Sequence, residues 1–449
     1  MTQHADIVVV GCGAAGLFAS IFAGRTLRAA DSAARILAVD GAKSIGAKIL
    51  IAGGGRCNVT HHAVDETAYA GSTPGAIRKV LRRFDVPHTC AFFAELGVEL
   101  KREETGKLFP TTDDAHTVLN ALKRAADDAG VRLVHPWRVS SIARSNDGFT
   151  LSSEHRTATD ATSAIATQTL TSRRLILATG GKSLPKTGSD GIGHTLAISL
   201  GHSITPRVFP ALVPLTLADG SFIRALSGLT IPTTIELRSP SGKKLRSFTN
   251  SMLCTHFGLS GPGVLDISRY WLDARADAHD RSEPDPQLLI NWLPAHTLES
   301  LEALLVDRAR RPQAPSPGRV LSEMIPERLA RQLCLEAGVD FSQSLSVLTR
   351  DQRRAICASV TQTRVAATGD RGYLFAEVTA GGVPLSEINL DTMESRVCPG
   401  LHLCGELCDV DGRIGGFNFQ WAWASGHLAG CGAARGVLEP GNNVHPAAH

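Results

Sequence analysis

Ile7-Val-Val-Val10-Gly11-Cys-Gly13-Ala-Ala-Gly16, followed by Ile36-Leu-Ala-Val39-Asp40, is the stretch that decides how this 449-residue chain folds. A β-branched run enters a GxGxxG loop, and the loop opens an Ala/Leu/Phe-rich segment, Ala14–Ala30, with helical character. A second apolar run, Arg35–Val39, then ends on an acid 24 positions after Gly16. Strand, helix and strand in this order imply a parallel sheet with a crossover helix. Gly11 allows the tight turn, Gly13 lets a pyrophosphate approach the backbone, and Gly16 lets the helix pack on the sheet. The positive end of the helix then faces the phosphates, and Asp40 is placed to bond a ribose hydroxyl. Ala14 and Ala15 complete the loop. The fingerprint by itself does not choose between FAD and NAD.

Working outward, the length suggests about three domains at roughly 150 residues each. Hydrophobic residues make up 43% and charged residues 20%, which excludes wholesale disorder. Glycine is high, at 43 residues, without a collagen period or linker-like runs, so the glycines belong in particular turns. A net charge of +3 argues against a dedicated nucleic-acid binder. The short basic runs Arg308–Arg311 and Arg353–Arg354 read as solvated helix faces. Ile7–Gly24 is uncharged for 18 residues, but its glycines break it into strand and helix, so no membrane span is expected. The first strand begins too early for a signal peptide, and ten scattered cysteines read as reduced thiols in the cytosol.

Further along, Ala76–Leu96 and Thr117–Ala129 read as helices, the second closed by Gly130 and followed by a strand at Val131–Val134. Phe149–Ser153 and Leu175–Ala178 read as strands joined through a Thr/Ser/Ala tract at 157–172, taken as a long hairpin loop. Thr233–Arg238 and Lys244–Phe248 suggest an inserted β-barrel or sandwich. Leu301–Arg310, Pro326–Ala337 and Arg350–Ser359 suggest a helical module. The expected architecture is α/β: a two-part, Rossmann-type nucleotide-binding domain (1–195 and 372–449) with a β-barrel-like substrate domain (196–290 and 361–371) and a small helical insertion (291–360).

Several further motifs carry chemistry. Ala178-Thr179-Gly180-Gly181 ends a strand, and Gly405-Glu406 ends a late one. Lys48-Ile-Leu-Ile-Ala-Gly53-Gly54-Gly55-Arg56-Cys57-Asn58 contains three consecutive glycines, which let backbone N–H groups lie against a ring system or phosphate. Thr255-His256-Phe-Gly258-Leu-Ser260-Gly261-Pro262, Thr379-Ala-Gly381-Gly382, and Gly412-Arg-Ile-Gly415-Gly416-Phe417-Asn418 follow. Gly191-Ile-Gly193 is the nearest approach to a second fingerprint, and it is incomplete.

Together these stretches resemble the BaiN/YhiN-type family of FAD-dependent flavoproteins, which includes aminoacetone oxidases. The resemblance runs from Ile7 to about Gly430. It implies FAD as cofactor and an FAD domain with inserted β-barrel and helical domains. It adds Val139 to the cofactor-binding candidates. The chain departs from the family at Ala47, where Arg is frequent, at Ala52, where Ser is frequent, and at Phe417, where Tyr is favoured. Arg56 offers a positive charge near the flavin, its alternative role being a structural salt bridge to a nearby acid, and the segment Gly415–Asn418, ahead of a helix-like run, offers N–H groups from another side.

His256, in a Gly/Ser/Pro-rich loop, is the candidate for proton transfer. Its alternative role is to shape that loop. His194 and His202 are weaker candidates. No cysteine pair has disulfide-reductase spacing and no zinc pattern is present, so no metal is expected. The expected activity is hydride transfer between flavin N5 and a small organic molecule, as amine oxidation or ene/keto reduction, with NAD(P)H as a transient donor in the reductive direction. The alternatives are an FAD-dependent RNA-modifying protein and a non-catalytic flavin-binding protein.

Overall fold

The computed structural model describes residues 3–156 and 165–439. The chain divides into two compact units, Met1–Pro210 with Glu377–His449, and Ala211–Ala376.

In the first unit, β1 (Gln3–Val10) lies at the heart of a parallel sheet. It pairs with β2 (Ile36–Val39) on one side and with Ile165–Leu177 on the other. Val131–Val134 and Leu401–Leu403 extend the parallel order outward. Ile7 to Val10 are all buried, as strands covered on both faces require. Helix α1 (Ala14–Ala29) returns the chain between β1 and β2. The C-terminal helix, Phe417–Leu438, packs on α1 almost backbone to backbone. A Cβ on Gly426 would stand 2.6 Å from the Ala15 carbonyl oxygen, and one on Gly430 only 2.1 Å from that of Ala19. Small residues at four-residue spacing on both helices therefore set the distance between them.

Three expectations need correction. The single helix expected over 76–96 is two, Pro74–Leu81 and Val86–Glu95. Asp85 accepts the His88 N–H and starts the second, with Pro87 in its first turn, so the chain turns there instead of continuing. The strand expected at Leu175–Ala178 begins at Ile165. Its early half pairs antiparallel with Gly148–Arg156 and its later half parallel with β1. Of the tract read as a hairpin loop, 165–172 is thus strand, and 157–164 lies outside the described residues.

The second unit is a seven-stranded antiparallel sheet in the order Thr363–Val365, Gln287–Asn291, Thr230–Arg238, Lys244–Thr255, Gly258–Ser260, Leu215–Leu217, Ala367–Asp370. Helices Leu298–Ala309, Pro317–Ser322, Glu327–Glu336 and Arg350–Thr361 share one buried core with that sheet, joining Ile235, Ile290 and Trp292 to Leu301, Leu333 and Ile356. Thr297 and Thr349 start two of these helices with reciprocal capping boxes.

Candidate flavin site

Beyond the C-terminal end of β1 the fingerprint loop is pinned by main-chain bonds. Gly11 N–H donates to Val39 O at 2.8 Å, and Ala178 N–H donates to Val10 O at 2.8 Å. The three glycines have different reasons to be glycine. Gly11 has φ +99°, and a Cβ there would stand 2.4 Å from the Ala178 carbonyl oxygen. A Cβ on Gly16 would stand 1.8 Å from Gly11 O, so the helix could not seat. A Cβ on Gly13 would meet nothing within 4 Å. Gly13 is also the N-cap of α1 and provides no side-chain cap, and the first turn has no acid. The helix therefore presents uncapped N–H groups and its positive dipole end to open space. Asp40 is committed to the same loop: its carboxylate accepts Cys12 N–H at 2.7 Å and Ala42 N–H at 2.8 Å.

The triple glycine closes a short helix, Ala47–Gly55, that leaves helical geometry at Ala52. Gly53, Gly54 and Gly55 all have positive φ (60°, 70° and 87°), and Cys57 follows at 61°. A Cβ on Gly53 would strike Phe109 at 2.7 Å, whereas one on Gly54 would meet nothing within 4 Å. Arg56 is ion-paired. Its Nη1 lies 2.5 Å from Glu103 and 3.5 Å from Asp113, and its guanidinium lies over the Phe109 ring at 4.0 Å. The hydrogen bond to Glu103 raises its already high pKa, so it stays cationic. Asn58 is buried, and its Oδ1 has no partner among the described residues.

Lys48 and Glu406, 358 positions apart, meet in a polar brace. Lys48 Nζ donates to Glu406 Oε2 at 2.6 Å and to Ser183 Oγ at 2.8 Å. Glu406 Oε1 also accepts from Ser183 Oγ and from Thr379 N–H, at 2.8 and 2.9 Å. The Thr379 hydroxyl oxygen accepts the Lys182 and Ser183 N–H groups at 2.7 and 3.0 Å. Burial pushes the Glu406 carboxyl up, but the Lys48 charge and the hydrogen bonds from Lys48, Ser183 and Thr379 outweigh it and hold it below the usual carboxylate range. The brace fixes the Thr179–Gly181 turn, where a Cβ on Gly181 would lie 2.4 Å from the Thr379 hydroxyl. Sequence reading singled out Lys48 and Glu406 but missed the Ser183 and Thr379 hydroxyls. The Gly191–Gly193 motif serves the same turn. A Cβ on Gly193 would lie 1.8 Å from Thr179 Oγ1, which has no partner among the described residues.

Gly405 is anchored by the C-terminal helix: its carbonyl accepts Trp421 Nε1–H at 3.0 Å and its N–H donates to Ser425 Oγ at 3.0 Å. That helix is capped by Gly416 (φ +96°), again with no side-chain cap and no acid in its first turn. Gly415 also has positive φ (120°). Asn418 does not project freely. It clamps the loop before it, accepting Gly412 N–H and donating to Gly412 O, both at 2.8 Å. The Phe417 carbonyl accepts the Tyr69 hydroxyl at 2.8 Å, and its ring stacks on His61. Ala15, Ala178 and Val139 are buried among the apolar residues of this unit.

His256 lies in the second unit, exposed, in the turn between Lys244–Thr255 and Gly258–Ser260. Its carbonyl accepts Arg224 Nε–H at 2.8 Å. His194 is buried with both ring nitrogens unpartnered among the described residues. Burial, and then the Lys182 charge, lower its pKa, so it is neutral. His202 is braced between Glu387 and Ser395. All ten cysteines are free thiols. Burial pushes Cys57 and Cys404 up to about 12 and raises Cys12 and Cys408 further, leaving them poor nucleophiles.

Two uncapped helix N-termini, open faces at Gly13 and Gly54, and the unpartnered buried oxygen of Asn58 are features that suit a long cofactor with phosphates and a polar planar ring. These residues fit FAD. The family model described as the HI0933-like protein Rossmann domain matches residues 5–432. The chain belongs to the HI0933-like family. Family relatives include the ribosomal RNA dihydrouridine synthase of Escherichia coli, 33% identical over 425 residues that cover 94% of this chain and 96% of that one. The 3-dehydro-bile acid delta(4,6)-reductase of Clostridium scindens is 32% identical over 429 residues, covering 95% and 98%. Among solved structures, 3-ketosteroid delta1-dehydrogenase from Sterolibacterium denitrificans aligns with a TM-score of 0.49 and 12% identity, covering 97% of this chain and 100% of that one. The HI0933-like family is the BaiN/YhiN family of the sequence reading, and this member is an FAD-dependent oxidoreductase. Among the described residues, no helix is long and apolar enough to cross a membrane.

Proposed function

We propose that this chain reduces a carbon–carbon double bond conjugated to a carbonyl in a small organic substrate. The observation that carries the reading is the pair of relatives at 33% and 32% identity. The name of each denotes reduction, one of a uracil base and one of a bile acid. Uracil and an unsaturated ketone share the C=C–C=O unit, whose β-carbon accepts hydride. The charge balance, 46 basic against 43 acidic residues, lacks the strong basic excess of a dedicated nucleic-acid binder.

Bound FAD supplies hydride transfer at N5. The first-turn N–H groups of α1 hold its pyrophosphate, and Gly13 leaves the room for it. Each Asp40 oxygen accepts one main-chain N–H and keeps a lone pair for the ribose hydroxyls. Gly53–Gly55, Asn58 and Gly180 would hold the ring system. The N–H groups after Gly416 stabilise negative charge there, and the Lys48–Glu406 brace keeps these loops in register. His256 would serve as proton donor to the substrate α-carbon. NAD(P)H serves as a transient electron donor. We assign FAD binding to 1–195 with 372–449, and substrate selection to 196–290 with 361–371 and the helical insertion 291–360. Ten unpaired thiols support a reducing compartment, the cytosol.

The test is anaerobic. NADH or NADPH is expected to bleach the flavin band near ~450 nm, and a conjugated enone to restore it. The panel includes amines and a uridine-bearing RNA fragment. Bleaching by an amine, with no recovery on any enone, would overturn the reading in favour of an oxidase. Recovery on the RNA alone would move the substrate to nucleic acid. His256→Ala is expected to lower turnover by about 10²-fold; unchanged turnover removes His256 from the mechanism.

A further inference from the structure

Within the first unit, Lys107 brings a cation to the start of the C-terminal helix. It is half-buried and opens the strand Lys107–Pro110, where its carbonyl accepts the Glu103 N–H at 2.9 Å. No described carboxylate pairs with it, whereas Lys101, in the same hairpin, is paired with Asp113. A Cβ on Gly415 would stand 3.5 Å from Lys107 Cε, so the ammonium, one bond further, belongs to the loop that leads into Phe417–Leu438. Lys107 and Phe109 are two apart on one strand and project from the same face. Phe109 lies against the triple glycine, where a Cβ on Gly53 would strike its ring at 2.7 Å. His61 stands directly opposite Lys107 on the neighbouring strand and shares that face, and its ring stacks on Phe417 at 4.8 Å. Thr60 turns the other way and bonds Gln420 at 2.7 Å. One strand face therefore touches both the triple-glycine loop and the Gly415–Gly416 loop, and Lys107 is the ammonium on it.

The helix that follows has no side-chain cap and no acid in its first turn. A helix start and an ammonium repel each other, so the two together are most stable with an anion beside both. Arg56 cannot play the same part, because Glu103 and Asp113 already balance its charge. An oxidised flavin ring is neutral, and a reduced one carries negative charge once its second proton is lost. A cation beside the ring therefore favours the reduced state and leaves binding of the oxidised state almost untouched.

We infer that Lys107, and not Arg56, supplies the cation that stabilises the reduced, anionic flavin ring. The inference rests on the placement of FAD proposed above, with its ring at the triple glycine and at Gly416. The experiment measures the midpoint potential of the bound flavin by anaerobic equilibration with a reference dye, across neutral and alkaline pH. Lys107→Met is expected to make reduction about 10-fold less favourable, the effect of one partly screened charge near the ring, or about 30 mV for two electrons. Its reduced ring should also hold the second proton to higher pH, seen as a steeper fall of potential with pH at the alkaline end. Lys107→Arg should keep at least about half of the effect, and Arg56→Met should shift the potential less than half as far as Lys107→Met. Fluorescence titration with FAD should give Lys107→Met an affinity within about threefold of the parent's. An unmoved potential in Lys107→Met, an equal fall in Lys107→Arg, or a larger fall in Arg56→Met overturns the inference. Loss of FAD binding in Lys107→Met overturns it too, since the oxidised ring is neutral. A parent that takes up no FAD sinks the flavin reading and the inference with it; a loaded parent whose potential ignores Lys107 sinks the inference alone.

Discussion

Replacing Gly13 and Gly16 separates two reasons for a glycine. At Gly16 an added Cβ falls 1.8 Å from Gly11 O, about 1.6 Å inside ordinary contact, and both atoms belong to main chain that cannot rotate away. Gly16→Ala should therefore push α1 off the sheet and destabilise even the flavin-free protein, by about 3 kcal/mol on the scale of overpacked cores. At Gly13 the Cβ meets open space, and φ is −79°, which any residue adopts. Gly13→Asp should leave apoprotein stability within about 1 kcal/mol, since an N-cap Asp is favourable. It places a carboxylate where a pyrophosphate is bound. At ~5.5 Å and an effective dielectric of ~20, each like-charge pair costs about 3 kcal/mol, and solvent screening roughly halves that. Two phosphate charges give about 3 kcal/mol, a loss of FAD affinity near 150-fold. Urea unfolding of the apoproteins and fluorescence titration with FAD measure the two quantities. If Gly13→Asp binds FAD as the parent does, or unfolds as readily as Gly16→Ala, the division of roles is wrong.

Three further outcomes are expected. Glu406→Gln should cost about 1–3 kcal/mol by leaving the Lys48 ammonium without its acid in a partly buried brace, read by chemical denaturation. Glu406 has a depressed pKa in the folded state, so its contribution is present above the ordinary carboxyl range and is lost as pH falls through the folded value. The parent should therefore lose stability faster than Glu406→Gln below about pH 4.5, and parallel pH profiles would contradict this. Iodoacetamide at neutral pH should label half-buried Cys90 before buried Cys57 and Cys404, by peptide mass spectrometry, and early labelling of Cys57 would contradict its raised pKa. Gly430→Leu should destabilise the first unit by about 3 kcal/mol or more, because the side chain would enter the Ala19 backbone, and a neutral result would refute the close helix contact.

The parts of the fold visible in the sequence are those whose partners are close along the chain. Gly11 and Gly16 constrain each other across five residues, and strand, loop and helix follow in order, so the pattern can be read without tertiary knowledge. The Lys48–Glu406 brace was half visible, because its charged ends stand in motifs. Its hydroxyls were not, because Ser183 and Thr379 meet across 196 positions and each is an ordinary polar residue locally. For Arg56 the sequence left open a charge for the flavin and a structural ion pair, and the structure supplies the partner, Glu103, 47 residues away, which no local pattern announces. The 76–96 segment failed for a different reason. Its apolar spacing continues through the break, and the Asp85 cap with Pro87 was overridden by periodicity.

The central claim is that the two uncapped helix starts and the glycine-lined loops of the first unit hold one FAD. It is tested most directly by titrating flavin-stripped protein with FAD and with FMN. One FAD per chain, bound with recovery of the band near ~450 nm and preferred over FMN because the α1 N-terminus needs a pyrophosphate, is the expected result. Protein that takes up no flavin, or takes FMN as well as FAD, would contradict the account.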